Sequence, residues 1–113
     1  MQDRVEFLKK CLRALAADAE GQLDSLRQQG CIPPEHYIDE LALDLDAVPA
    51  GDMFAKHEID LDTRESLRRL DQYLESISGQ ENAHLWTADA LRSAVEWRLV
   101  REMAKDSLDR ISN

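Results

Sequence analysis

The side chains of this chain that could carry out chemistry are three histidines, two cysteines and a dense set of carboxylates. His36 and His57 have acidic neighbours in the sequence, as a metal or acid–base site would require, and His84 is the third histidine. Their spacing matches neither the H-E-x-x-H zinc motif nor the Glu-x-x-His motif of metal-binding bundles, and the ligand spacing of an EF-hand loop is missing. The pattern predicts surface histidines and no metal site.

The nucleophilic side chains lack the surroundings that would activate them. Cys11 falls on an apolar helix stripe and Cys31 in a predicted loop, and neither belongs to a C-x-x-C pair. No serine is flanked by the glycines of a nucleophile elbow, and there is no glycine-rich loop for a phosphate. We therefore expect no enzyme activity and no cofactor. Since no apolar signal segment is recognisable, we expect two reduced thiols in a cytoplasmic protein.

The most informative feature is the distribution of acidic residues. Residues 35–62 hold nine carboxylates against one base, Lys56, so this segment carries −8 of the net charge of −9. The carboxylates belong to Glu35, Asp39, Glu40, Asp44, Asp46, Asp52, Glu58, Asp60 and Asp62. A localised field of one sign speeds the encounter with a partner of the opposite sign. The segment therefore predicts a binding surface for a basic protein.

The same charge excludes two classes of ligand. Nucleic acids and anionic membrane surfaces both require a basic footprint, whereas this chain carries 23 acidic against 14 basic side chains. In addition, the sequence has no run of the ~18 apolar residues that a membrane-spanning helix needs. We expect neither nucleic acid nor membrane among the partners.

Chain length and apolar periodicity predict one all-α domain over residues 1–113, a small bundle of four to five helices. The first is a long helix from Asp3 to Gln29, begun by the Asp3 cap and ended by Gly30 and two prolines. Its buried stripe comprises Val5, Leu8, Leu12, Leu15, Ala19, Leu23 and Leu26. Gly21 inside this run predicts a bend.

The acidic segment is predicted to contain a second helix and then a loop. Pro34 suits the first turn of a helix, and the apolar residues that follow recur on one helical face. Leu41, Leu43 and Leu45 also alternate as in a strand, but no second strand-like run exists to pair with them, which favours the helix. Residues 48–58 are predicted to be irregular, with at most a short helical turn.

Two further helices are predicted in the C-terminal half. One begins at Asp62, which would form a capping box with Glu65, and ends at Gly79. Its buried residues are Leu67, Leu70, Leu74 and Ile77. The other begins after Thr87, a favoured N-cap, and runs to about Ile111.

The last predicted helix has apolar residues on two opposite faces. Leu91, Ala94, Val95 and Leu99 share one face, and Trp97, Val100, Ala104, Leu108 and Ile111 share nearly the opposite one. Either this helix is the largely buried centre of the bundle, or it contacts different neighbours along its length.

Seven carboxylates of the acidic segment are left as candidate contacts once Asp62 and Glu35 are assigned to helix starts. They are Asp39, Glu40, Asp44, Asp46, Asp52, Glu58 and Asp60. Tyr37, Met53 and Phe54 lie among them and would supply the apolar packing that dominates interface energies. These ten side chains form the predicted binding site.

The C-terminal portion contains the pattern Leu70-x-x-Tyr73-Leu74, Leu85-Trp86-Thr87, Ala90-Leu91 and Glu96-Trp97, followed by Arg101 and Ala104. Over roughly the last 40 residues this pattern resembles small acidic immunity proteins of bacterial polymorphic-toxin and contact-dependent growth inhibition systems. The resemblance implies a cytosolic, non-enzymatic inhibitor that binds and blocks the toxin domain of its own system. Many such toxins are nucleases with cationic clefts, which an acidic surface can occupy.

The sequence leaves two other functions open. One is a self-associating helical scaffold or adaptor, which spare apolar surface on the first helix or around Trp97 would favour. The other is a small regulator that binds a basic protein other than a toxin. The choice between monomer and homodimer stays open as well.

Overall fold

The computed structural model describes residues 3–112, which contain seven α-helices and no strand. The helices are α1 (Arg4–Ala16), α2 (Ala19–Gln28), α3 (Glu40–Asp46), α4 (Ala50–Ala55), α5 (Leu61–Ser76), α6 (Ala88–Ser93) and α7 (Val95–Ser112). Two 3₁₀ helices, Pro34–His36 and Gln80–Leu85, precede α3 and α6. The all-α prediction is confirmed, whereas the predicted number of four to five helices is too low.

Helix α7 packs against the two other long helices of the core, α1 and α5. It contacts α1, α5 and α6, while α3 contacts α1, α2 and α5. Trp97, Val100 and Ala104 of α7 are fully buried, and the core that they share with α1 and α5 is one continuous cluster. Burying a side chain the size of leucine stabilises the fold by about 1.5–3 kcal/mol. Leu41 and Leu45 fix α3 to this cluster, which positions the acidic helix on the body of the protein.

The predicted N-terminal helix is two helices, which is a correction. The chain leaves helical geometry at Ala17 and Asp18, both in extended conformation. Asp18 Oδ1 accepts the amide proton of Gly21 at 2.8 Å and so caps α2. A Cβ on Gly21 would lie only 3.0 Å from that of Ala17, so glycine fits here because the turn is tight. The helix is therefore interrupted at Ala17 and Asp18, before Gly21. The sequence predicted only a bend, at Gly21 itself.

The predicted C-terminal helix is likewise two helices. Ala94 is extended, with ψ at 136°, and separates α6 from α7. This break explains the two opposed apolar faces, since Leu91 and Trp97 belong to different helices and are both buried. Val95 and Leu99 remain 50% and 38% exposed. Helix α7 thus buries one face and contacts different neighbours along its length, and it is not buried on both sides.

Several helix ends agree with the sequence prediction. Asp3 accepts the amide proton of Val5, and Thr87 accepts that of Ala90. Gly30 has φ at +87° and ends α2 in a Schellman motif, in which the Cys31 amide donates to the carbonyl of Leu26. These contacts satisfy backbone groups that a helix terminus would leave unpaired.

Residues 48–58, predicted to be irregular, contain the complete helix α4. Its end is a second Schellman motif, with the amides of His57 and Glu58 donating to the carbonyls of Phe54 and Met53. The residue in left-handed geometry is His57, at φ +62°. Because no glycine marks this position, the sequence pattern carried no signal for the end of the helix.

Candidate functional site

Helix α3 carries the unpaired part of the acidic segment. Asp39 and Asp46 are exposed and Glu40 and Asp44 are half-buried, while the opposite face of the helix is in the core. Among the residues that the structure describes, none of these four carboxylates has a basic side chain within 4.0 Å. The charge on this helix therefore faces solvent without compensation.

Asp52 and Glu58, by contrast, are neutralised inside the chain. Arg4 Nη1 donates to Oδ2 of Asp52 at 2.8 Å, and Arg4 Nε donates to Oε1 of Glu58 at 3.1 Å. Lys56 Nζ lies 3.3 Å from Asp52. The hydrogen bond from Arg4, and then that from Lys56, lowers the pKa of Asp52. A partner would have to compete with Arg4 for these two carboxylates.

Asp60 is the N-cap of α5, which corrects the assignment of this role to Asp62. Its Oδ1 accepts the amide proton of Thr63 at 2.8 Å, and this hydrogen bond lowers the pKa of Asp60. One carboxylate oxygen of Asp60 is therefore engaged by the backbone of α5. Asp62 is exposed in the first turn, where the helix dipole favours a carboxylate.

The three predicted apolar contacts occupy different environments. Tyr37 is 40% exposed, as an interface residue would be. Met53 is fully buried and belongs to the core, so its assignment to the surface is corrected. Phe54 packs against the core and lies under the guanidinium of Arg64, whose Cζ is 5.3 Å from the ring centroid. Only Tyr37 retains the exposure that the sequence predicted.

Leu43 is a surface residue that the site prediction omitted. It is 50% exposed at the centre of the outer face of α3. Asp39, Glu40 and Asp46 lie three or four positions away and therefore surround it on the helix surface. The signal was present in the sequence, because a helical Leu43 must point away from the side of Leu41 and Leu45.

Two carboxylates of α5 extend the acidic surface of α3. Asp71 and Glu75 line one groove together with Asp46 and Leu43. Partial burial, then the charges of Asp46 and Glu75, raises the pKa of Asp71. Three carboxylates thus repel one another where α3 meets α5. Asp46 belongs to the acidic segment, whereas Asp71 and Glu75 lie outside residues 35–62. The charge count along the chain therefore missed these two.

The two cysteine thiols lie in surroundings that disfavour the thiolate form. Burial, and then the charge of Asp44, raises the pKa of the Cys11 thiol to about 11, and burial raises that of Cys31. Both thiols are therefore protonated at neutral pH, the unreactive form.

Within residues 3–112, no three histidine, cysteine, aspartate or glutamate side chains are grouped to hold a metal ion. No helix in this range is long and apolar enough to cross a membrane.

No protein-family model, curated protein or solved structure matches. A function for this chain must therefore be inferred from its own charges and contacts. The surface made by α3, Asp71 and Glu75 is the candidate site that these contacts leave free, and we call it the α3 surface.

Proposed function

We propose that this chain is a non-enzymatic, cytoplasmic inhibitor that binds the basic domain of another protein, of the toxin–immunity kind, through its α3 surface. The observation that carries the proposal is the division of the acidic segment. Asp52, Glu58 and Asp60 are held by Arg4 or by a helix amide, whereas the carboxylates of α3 have no basic side chain within 4.0 Å among residues 3–112.

An uncompensated acidic surface costs stability in the free protein. Asp46, Asp71 and Glu75 lie close enough for the charges of Asp46 and Glu75 to raise the pKa of Asp71. Such repulsion is relieved when lysine or arginine side chains of a partner approach. The C-terminal pattern around Leu85, Trp86 and Trp97, which resembles small acidic immunity proteins, supports a toxin domain as that partner.

The direct experiment is affinity capture with the tagged chain from its native host, followed by mass spectrometry. We expect recovery of a large protein with a basic C-terminal toxin-type domain. The kinetics of the purified pair then test the surface. Because electrostatic attraction mainly accelerates association, Asp44→Lys with Asp46→Lys should slow association by about tenfold or more at low salt, and less at high salt.

The matched control is Glu102→Lys with Asp109→Lys. These residues are exposed on α7 and the double substitution changes the net charge by the same amount. An equal loss of rate in both variants would mean that net charge alone matters and would move the interface away from α3. Failure to recover any basic domain from the host would contradict the inhibitor function itself.

A self-associating scaffold is the second candidate function. It is favoured by Val95 and Leu99, which lie one turn apart on α7 and are 50% and 38% exposed. Sedimentation of the purified chain separates the two candidates. A monomer fits the inhibitor, whereas a dimer that Leu99→Gln dissociates would fit the scaffold.

A further inference from the structure

An apolar groove adjoins the carboxylates of the α3 surface. It lies between α3 and the segment after α5, has a volume of about 630 Å³, and is lined by Ala42, Leu43, Ser78, Gly79, Ala83 and Trp86, among others. A second groove of about 370 Å³ shares Ala42, Leu43 and Ser78 with it and contains Asp46, Asp71 and Glu75. Leu43 thus stands between an apolar depression and an acidic one. We call the first depression the Leu43 groove.

The far wall of the Leu43 groove is held in place before any partner binds. Trp86 Nε1 donates to the carbonyl of Ile77 at 2.9 Å. The Trp86 ring meets that of Trp97 edge to face, with centroids 5.2 Å apart and planes at 83°. Trp97 itself is fully buried and donates to the carbonyl of Leu85. An indole fixed at both ends offers a rigid surface, so little conformational entropy is lost when a ligand packs on it.

The charge around the groove selects the kind of partner. Asp39 lines the Leu43 groove, and Asp46, Asp71 and Glu75 line the adjoining one. None of the four has a basic side chain within 4.0 Å in the part of the chain that the structure describes. A second copy of this chain would bring another −9 of net charge and the same acidic rim. The complementary ligand is therefore cationic as well as apolar.

We propose that the Leu43 groove docks a basic segment of a partner protein, whose large apolar side chain enters between Leu43 and Trp86. The flanking lysine or arginine side chains of that segment pair with the carboxylates of Asp39, Asp46, Asp71 and Glu75. This inference rests on the proposed function and deepens it. The acidic rim attracts the partner, and the apolar contact decides which basic segment stays bound.

Two labelled peptides of equal charge test the groove by fluorescence anisotropy. Both are helix-forming and lysine-rich, and they differ only at one central position, leucine in one and glutamine in the other. We expect the wild-type chain to bind the leucine peptide about tenfold more tightly, as burial of one leucine side chain implies. Leu43→Gln should remove this preference while retaining the salt-dependent binding common to both peptides.

Leu99→Gln is the matched control, since Leu99 is another exposed leucine, 38% against 50% for Leu43, and lies on a different helix, α7. Its preference for the leucine peptide should equal that of the wild type. Equal affinity for the two peptides, or a preference that survives in Leu43→Gln, would overturn the groove proposal. So would a dimer that Leu43→Gln dissociates, because the occupant would then be a second copy.

The groove proposal and the inhibitor function fail separately. If neither peptide binds at low salt but a basic domain is captured from the host, the groove proposal is wrong and the inhibitor function stands. If the leucine peptide binds as expected but the host yields no basic domain, the groove stands and the toxin-type partner is wrong. Far-UV circular dichroism of each variant verifies that the helices are intact.

Discussion

Arg4 Nη1 lies 2.8 Å from Oδ2 of Asp52, a residue 48 positions further along the chain. The same guanidinium also pairs with Glu58, so the start of α1 is tied to helix α4 and to the turn that follows it. Two carboxylates of the acidic segment are thereby paired with one base outside that segment. This contact divides the acidic segment, and the carboxylates of α3 lie on the side that has no such base among residues 3–112.

Arg4→Gln should lower the melting temperature, because it removes the cation that Asp52 and Glu58 share. The loss should be largest at low salt and shrink at high salt, where exposed charges are screened. The pKa of Asp52 is lowered in the fold by Arg4 and Lys56. Its stabilising contribution is therefore present above the unfolded pKa, about 3.9, and disappears as pH falls through the folded value. The effect of the substitution should fade accordingly in acid.

Arg13→Gln is the control for this experiment. Arg13 is exposed on the same helix and its replacement removes the same charge. Thermal melts of both variants at neutral and acidic pH give the comparison. If the two variants lose the same stability, the effect of Arg4 comes from net charge and the contact with α4 contributes nothing.

Asp71→Asn should raise the melting temperature at neutral pH. Burial and the charges of Asp46 and Glu75 raise the folded pKa of Asp71 above its unfolded value. The charged form is thus disfavoured in the fold, and this cost is fully present above the folded pKa. The cost is lost as pH falls toward the unfolded value of about 3.9, so the gain from asparagine should vanish in acid. Asp109→Asn on α7, measured in the same melts, should lack this gain.

The sequence predicted the helical class and several helix ends correctly because these depend on local chemistry. Asp3, Thr87 and Gly30 act on backbone groups only a few residues away. The break at Asp18 escaped prediction because Leu15, Ala19 and Leu23 keep the spacing of one helical stripe across it, and all three are buried. Apolar periodicity cannot reveal a break that leaves the stripe in phase.

The candidate site was predicted less completely, since its composition depends on contacts between distant residues. The Arg4 contacts with Asp52 and Glu58 span 48 and 54 positions, and no local pattern encodes them. Asp71 joins Asp46 only because α3 packs on α5. What the sequence did predict, the acidic face of α3, follows from residue type and helical spacing alone.

His57→Gly should stabilise the protein by about 0.5–1 kcal/mol. His57 holds φ at +62°, a left-handed geometry that costs a non-glycine residue about 1–2 kcal/mol, and the greater freedom of glycine in the unfolded chain offsets part of this gain. Chemical denaturation measures the difference. Gly30 occupies the same position of the same motif, at φ +87°, so Gly30→Ala should instead destabilise. Changes of the same sign in both variants would show that left-handed strain does not control these turns.

Arg101 of α7 donates hydrogen bonds at both helix breaks, the one between α1 and α2 and the one between α6 and α7. Arg101 Nε donates to the carbonyl of Ala17 at 3.1 Å, and Nη2 donates to the carbonyl of Leu91. In uninterrupted helices the amides of Gly21 and Val95 would bond to these two carbonyls. Nη2 also donates to Oε1 of Gln22 at 3.1 Å, and this glutamine is fully buried. The breaks are stable because the guanidinium of Arg101 donates to the two backbone carbonyls that lose their helical partners.

Arg101→Met should therefore lower the free energy of unfolding by about 1–3 kcal/mol, the cost of leaving a buried acceptor such as Gln22 Oε1 unpaired. Arg101→Lys should recover little, because an ammonium group cannot span three acceptors as the guanidinium does. Adding Gln22→Leu to Arg101→Met should cost less than the two single substitutions combined, since it removes the acceptor that the first one orphans. Urea titration of the wild type, Arg101→Met, Gln22→Leu and the double variant measures this coupling. Strictly additive losses would mean that Arg101 and Gln22 stabilise the junction independently.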